Sequence, residues 1–102
     1  MIHELKCWEK FYKYIEDGTK TFEIRYNDRN FQVGDTLYLR EYNDLDGVYT
    51  GRKLYAEVTY ILSNFVGLVE DYIAMQIEVI GDSVEADLME EEKIPLCSGV
   101  LV

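Results

Sequence analysis

Apolar and polar residues alternate along most of this chain, and the alternation sets out its elements. Residues 2–8 (IHELKCW) place His3, Leu5 and Cys7 on one side and Ile2, Glu4, Lys6 and Trp8 on the other, the period of a short strand with mixed sides. The period then changes. Phe11, Tyr12, Tyr14 and Ile15, within residues 9–16 (EKFYKYIE), recur at helical spacing, and Gly18 follows as a stop. Residues 20–26 (KTFEIRY) return to clean alternation, with Phe22, Ile24 and Tyr26 pointing one way and Thr21, Glu23 and Arg25 the other. By the usual rule this is a half-buried strand with a polar, charged outer face. Residues 27–30 (NDRN) are turn chemistry, and Phe31-Gln32-Val33-Gly34-Asp35 reads as a tight turn into a strand over 36–42. A hairpin loop containing Asp46-Gly47 covers residues 43–51, and strands follow over 53–62 and 72–80, joined by a loop over 63–71.

Five strands with one early helix and short loops predict a mostly β (α+β) fold: a small barrel of about five strands with one α-helix packed at its side. Closing a small sheet removes its exposed edges, which favours a closed or nearly closed barrel over the alternative of a plain open sheet. The barrel domain is expected over residues 1–80. Residues 81–102 are an acidic tail with no assigned role: helix formers over 85–93, a stop at Pro95, then an apolar end. That end can dock as an extra strand, pair with a second chain or stay loose, and the pattern does not choose among these.

Composition strengthens the β reading, because nine tyrosines, four phenylalanines and one tryptophan stand against a single proline. Charge narrows the partners. The formal net charge is −10, yet residues 1–53 hold nine of the ten Lys/Arg and only ten of the twenty Asp/Glu. A chain without a basic field is not built for strong, salt-driven binding to duplex nucleic acid. If it binds RNA, it does so through a local pocket, and its acidity favours small ligands or protein partners. Cys7 and Cys97 are far apart and form no CxxC, so free, partly buried thiols are expected rather than a disulfide. With His3 as the only histidine, a zinc site is not expected, and neither is a cofactor. No glycine-rich phosphate loop, GxSxG or Cys–His pairing is present. The N-terminus is charged from the start and no run approaches ~18 apolar residues, so neither a signal peptide nor a membrane span is expected, and the cytoplasm is the default location.

The run Gly18-Thr19-Lys20-Thr21-Phe22-Glu23-Ile24-Arg25, followed by Phe31-Gln32-Val33-Gly34-Asp35, resembles the signature of the ASCH domains of the PUA-like superfamily. The chain is more similar still to an uncharacterised bacterial and phage branch of that group. The features carrying this are a His-x-Leu-Lys strand (His3, Leu5, Lys6), an Asp-Arg-x-Phe-x-Val-Gly-Asp turn (Asp28, Arg29, Phe31, Val33, Gly34, Asp35) and a Val-Thr-Tyr-Ile-Leu strand over Val58 to Leu62. The resemblance covers roughly residues 2–80 and stops before the tail. It implies a small β-barrel with a helix at one side and a ligand cleft between that helix and the lysine–glutamate–arginine strand. It also implies binding of RNA or of modified nucleosides. One branch of the superfamily consists of small amidohydrolases that deacetylate an N-acetylated cytidine, with a Gly-x-Lys-Thr-x-Thr-x-Arg motif. Here Lys20, Thr21 and Arg25 match that motif, but Glu23 stands where the second threonine would be.

Lys20, Glu23 and Arg25 are therefore the leading site residues, with Thr21, Arg29, Trp8 and Lys6 beside them as ligand-binding candidates. A carboxylate flanked by cations can read a base edge, accepting from an exocyclic amine while Arg or Lys donates to carbonyls or phosphate. Trp8, Phe11 or Tyr26 would stack on the base. The plainer reading is a surface ion pair of Glu23 with Arg25 or Arg40, worth ~0–1 kcal/mol. A lysine beside a carboxylate is also a candidate catalytic pair, Lys20 with Glu23, joined by a later acid at Glu70 or Asp71. Lys6, Lys10 and Lys13 form a solvated face by default, and one of them would steer an anionic ligand if the cleft lies beside the helix. His3 is expected as a hydrogen-bonded structural histidine. Asp28 is expected as a turn cap, and Arg29 as either solvated or a phosphate contact. Tyr38, Tyr42, Tyr49, Tyr55, Tyr60 and Tyr72 are expected in cross-strand packing.

Three functions follow as expectations. The first is a binding module for an RNA base or a modified nucleoside or nucleotide. The second is a small amidohydrolase of an acylated nucleoside. The third is a phage or mobile-element accessory protein whose acidic half meets a protein partner.

Overall fold

Five strands and one helix form where the periodicity changes: β1 (Ile2–Trp8), α1 (Glu9–Glu16), β2 (Phe22–Tyr26), β3 (Thr36–Asn43), β4 (Val48–Leu62) and β5 (Tyr72–Gly81). The structure, a computed structural model, describes residues 1–82; residues 83–102, with Cys97 and the acidic tail, lie outside the described residues. The strands make one sheet in the order β1-β3-β4-β5-β2. All neighbours are antiparallel except β1 and β3, which run parallel. A parallel pair needs a crossover, and α1 and β2 supply it. The sheet curls into a half-barrel whose two end strands, β1 and β2, are consecutive strands in the chain.

No ladder joins β1 to β2, and arginine side chains bridge the seam instead. Arg25 Nη2 donates to the Lys6 carbonyl and Arg29 Nη1 to the Glu4 carbonyl, each at 2.7 Å. These contacts satisfy carbonyls on the free edge of β1, whose burial without a partner would be costly.

The core fills the inside of the curl. Leu5 and Cys7 from β1, Leu37 and Leu39 from β3, Leu54, Ala56 and Val58 from β4, and Ile73, Met75 and Ile77 from β5 are buried together. Tyr12 and Ile15 of α1 close one end, while Phe31 also joins the core. His3 lies inside as well, its Nε2 2.8 Å from Asp35 Oδ2 and its ring edge-on to Phe31 at 4.7 Å. Asp35 also takes the Gln32 N–H and ties the turn to β4, with the Val58 N–H donating to its carbonyl. The expectation of a hydrogen-bonded structural histidine is met.

Several expectations need correction. First, β2 is turned inside out. Glu23 and Arg25 are buried at 5% exposure, while Phe22, Ile24 and Tyr26 are 42–49% exposed. Glu23 stands opposite Met75 and Arg25 opposite Ile73, both core residues, so the register leaves no doubt which face is inside. Second, β4 begins at Val48 rather than 53. Gly51, at φ 98°, lies in an irregularity of the β3–β4 ladder, a backbone shape that favours glycine, so the ladder resumes beyond it. Third, Arg29 is neither solvated nor free to reach a phosphate; its side chain is 6% exposed and spent on the seam. The turn is capped by Asn27, whose Oδ1 accepts the Phe31 N–H, and not by Asp28.

The tyrosines pack across strands as expected: Tyr38 stacks on Tyr55 at 4.8 Å, and Tyr42 meets Tyr49 and Tyr26 meets Tyr72 edge-on. Tyr60 is the exception, at 58% exposure.

Candidate functional site

The seam between β1 and β2 does not close where α1 begins. β1 ends at Trp8, α1 starts at Glu9 and turns the chain away, and Gly18, with φ 84°, ends the helical segment so that β2 can return. The space left is a cleft of about 210 Å³. Trp8, Phe11, Phe22 and Ile24 give it apolar walls, Cys7, Glu23 and Arg25 lie on its inner side, and Lys6 and Lys20 complete the lining.

Glu23 is the centre of its polar chemistry. Its side chain is 6% exposed, with Lys20 Nζ 2.9 Å from Oε1 and Arg25 Nε 3.0 Å from Oε2. Arg25 is equally buried, and Lys20 is only partly so at 16%. This is a buried arrangement, not the surface ion pair of the plain reading, and Arg40 takes no part because it pairs with Glu4 at 2.9 Å. A single carboxylate with two cations satisfies its own desolvation by geometry. It keeps lone-pair capacity, since each carboxylate oxygen can accept two hydrogen bonds. Lys20 also donates to the Phe22 carbonyl at 2.6 Å, which leaves one of its three N–H donors for a ligand. Lys20, at the turn before β2, thus lines the cleft with its Nζ on Glu23.

The cation heads are also packed on rings. Lys20 Nζ lies 4.7 Å from the Phe22 ring centre and 5.3 Å from that of Phe11, and Lys10 Nζ lies 4.8 Å from Trp8 and 5.1 Å from Phe11. The indole N–H of Trp8 is buried and has no hydrogen-bond partner among the described residues.

The setting of Cys7 disfavours its thiolate at neutral pH. Burial, reinforced by Glu23, pushes its thiol up to about 12, and only the thiolate reacts. The later acid considered for Lys20, Glu70 or Asp71, is elsewhere. Glu70 and Asp71 lie just before β5, and Asp71 accepts the Asn27 N–H at its carbonyl, beyond the far end of β2. At roughly 3.3 Å per residue, the length of β2 keeps Asp71 more than about 10 Å from Lys20. Thr21 does not line the cleft either. It is exposed on a separate hollow with Gly18 and Glu78. Tyr26, a candidate stacker, packs on Tyr72 away from the cleft.

Of the residues singled out in the sequence, the structure thus brings together Lys6, Trp8, Lys20, Glu23 and Arg25, and leaves out Thr21 and Arg29. Phe22 was missed. It was assigned to the core because its alternation with Ile24 and Tyr26 is apolar. The available signal was the position of Lys20, Glu23 and Arg25 around it, three charges that need a water-accessible or well-paired setting.

Among the described residues no helix is long and apolar enough to cross a membrane. Residues 2–77 match the model of a family described as a domain of unknown function (DUF3850). The chain is also 37% identical over 81 residues to a protein of Escherichia phage P2, described as an uncharacterized 12.9 kDa protein in the GpA 3′ region; the match covers 79% of this chain and 71% of the phage protein. The chain belongs to the DUF3850 family. The matched span runs from the first strand into the fifth and contains every residue of the cleft.

Proposed function

We propose that the cleft holds a nucleobase, as part of a nucleotide or of single-stranded RNA, and that the chain is a base-binding module of the ASCH and PUA-like kind. The observation that carries this reading is the buried carboxylate of Glu23, fixed between Lys20 and Arg25 inside an aromatic-walled cleft. A flat heteroaromatic ring with adjacent donors and acceptors suits both parts of it. Trp8, Phe11 or Phe22 takes the ring face, Glu23 accepts from a ring or exocyclic N–H, and Lys20 donates to a ring nitrogen or carbonyl. The resemblance of residues 18–25 and 31–35 to the ASCH signature supports the same reading.

Trp8 is the only tryptophan, so its emission reports on the cleft directly. Titration with ribonucleotides and short single-stranded RNAs should quench it with a saturable curve, and Glu23→Gln should weaken the binding by roughly tenfold, the loss expected for a charged hydrogen bond. A flat titration with every common base would overturn the reading. Lys20 paired with Glu23 at 2.9 Å supports a second reading, water-driven cleavage of an acylated base to the free amine and carboxylic acid. Mass spectrometry of acetylated cytidine incubated with the protein, with Lys20→Ala as control, decides it. Product that vanishes in the variant establishes turnover; no product leaves the base-binding reading alone.

A further inference from the structure

The charge at this cleft runs against that of the chain. The protein carries −10, yet the cleft is lined by three cations, Lys6, Lys20 and Arg25, and by one carboxylate. Lys20 and Arg25 are committed to Glu23. Lys6 and Lys10 are not committed to any acid among the described residues: Lys6 stands over Tyr42 at 4.6 Å, and Lys10 stands over Trp8 and Phe11, two of the cleft's walls. An exposed lysine held at a cleft wall without an acid partner among the described residues is a charge left available to a ligand.

We infer that the ligand bears a phosphate and that Lys10 binds it, so that the cleft takes a nucleotide unit rather than a free nucleoside. This rests on the base-binding reading above. The base fills the space between Trp8, Phe11 and Phe22 against Glu23, and the sugar leads the phosphate out to the wall where Lys10 stands. An ammonium resting on aromatic rings is partly desolvated and already oriented, which raises the strength of its contact with an anion. Lys6, lining the same cleft with no carboxylate of its own, adds to the field. A free mononucleotide and a phosphate of an RNA backbone offer the same group, and the two are separated by the probe used.

The experiment compares Trp8 quenching by the common ribonucleosides, by their 5′-monophosphates and by a short single-stranded RNA lacking a terminal phosphate, for the native chain and Lys10→Gln. Lys10 is exposed on the first turn of α1, so the substitution leaves the fold intact. A 5′-monophosphate should bind at least roughly tenfold more tightly than its nucleoside, as expected for one charge-assisted hydrogen bond. That advantage should shrink in high salt and collapse in K10Q, with the monophosphate losing much more affinity than the nucleoside. The RNA matching the monophosphate places a backbone phosphate at Lys10; the RNA matching only the nucleoside restricts the site to free nucleotides. Equal affinity for nucleoside and monophosphate overturns the inference and leaves base binding standing. So does a K10Q variant in which both affinities fall alike, which would make Lys10 a bracket for Trp8. Binding by none of the probes overturns both readings.

Discussion

β1 and β2 face each other across the same seam, and β2 throughout and β1 from His3 onward alternate between two faces. β1 turns Leu5 and Cys7 inward and keeps Glu4 and Lys6 on the other side, whereas β2 turns Glu23 and Arg25 inward and leaves Phe22, Ile24 and Tyr26 outside. The difference lies in what each strand is for. β1 is paired along its length to β3 and its inner residues are core. The inner face of β2 looks partly onto core, at Ile73 and Met75, and partly onto the open end of the seam. Charges can be buried there because they answer one another and because the cleft leaves that end of the seam open. Alternation names two faces of a strand; it does not say which face is inside, and on β2 the usual rule reverses.

The comparison breaks most sharply at Glu23. Glu23→Ala leaves Lys20 and Arg25 facing each other across an apolar-walled cleft, and removing one partner of a buried charge group costs about 3–5 kcal/mol. Partial exposure of Lys20 places the expected loss near the lower end of that range. Urea denaturation checks it. Replacing Lys20 and Glu23 together by Met and Leu should recover part of the stability while abolishing quenching by nucleotides. A double variant that keeps its ligand would show that β2 faces inward for packing and not for binding.

Next in size is the seam itself. Arg29→Met removes the donor to the Glu4 carbonyl, and a carbonyl left without its partner costs about 1–3 kcal/mol. Because Arg29 does not line the cleft, ligand affinity at temperatures where the variant is folded should change little. Arg29 belongs to the Asp28-Arg29 turn motif, and this variant separates an arginine that holds the seam from Arg25, which lines the cleft. An affinity loss as large as that of Glu23→Gln would return Arg29 to the site.

Much of this was open to view in the chain. Strand positions follow from period-two runs, the helix from Phe11, Tyr12, Tyr14 and Ile15, and the grouping of Lys20, Glu23 and Arg25 from the ASCH-like run. Three features were not. The sidedness of β2 depends on where the sheet curls, which is a long-range fact that no local pattern carries. The reach of β4 back to Val48 depends on glycine tolerating a positive φ at residue 51, where a strand pattern reads as broken. The role of Arg29 depends on β1 having a free edge, which follows only from the strand order. Phe22 failed for the first of these reasons, and Thr21 for a related one: just outside β2, it no longer follows the inward face of Glu23 and Arg25.

β1 also buries one polar residue, His3, and it serves the fold rather than the cleft. Burial pushes the Asp35 carboxyl up, but the hydrogen bond from His3, the Gln32 N–H and the N-terminal ammonium outweigh burial and hold it below the ordinary 3.8. A carboxyl with a lowered folded pKa contributes stability above its unfolded pKa and loses it as pH falls through the folded value. Asp35→Asn should therefore be less stable than the native chain at pH 7, with the gap closing below about pH 4. Ligand binding should be untouched at neutral pH. Thermal unfolding of both proteins across pH 3–7 measures it; a gap that stays constant with pH would show that the carboxylate charge plays no part in holding His3.

The smallest expected effect tests the inversion most directly. On β1, an inward apolar residue such as Leu5 is 3% exposed, and Leu→Ala there is expected to cost about 2–5 kcal/mol. On β2, Ile24 is just as apolar and occupies an equally regular alternation, yet it is 42% exposed. Ile24→Thr keeps the branched shape that suits a strand, so stability should change by no more than about 0.5 kcal/mol, the range of ordinary surface substitutions. Because Ile24 lines the cleft edge, the same variant should lower nucleotide affinity slightly, through lost apolar contact alone. A loss of several kcal/mol would mean that the apolar side of β2 is covered in solution, and the alternation would then have named the buried face correctly after all.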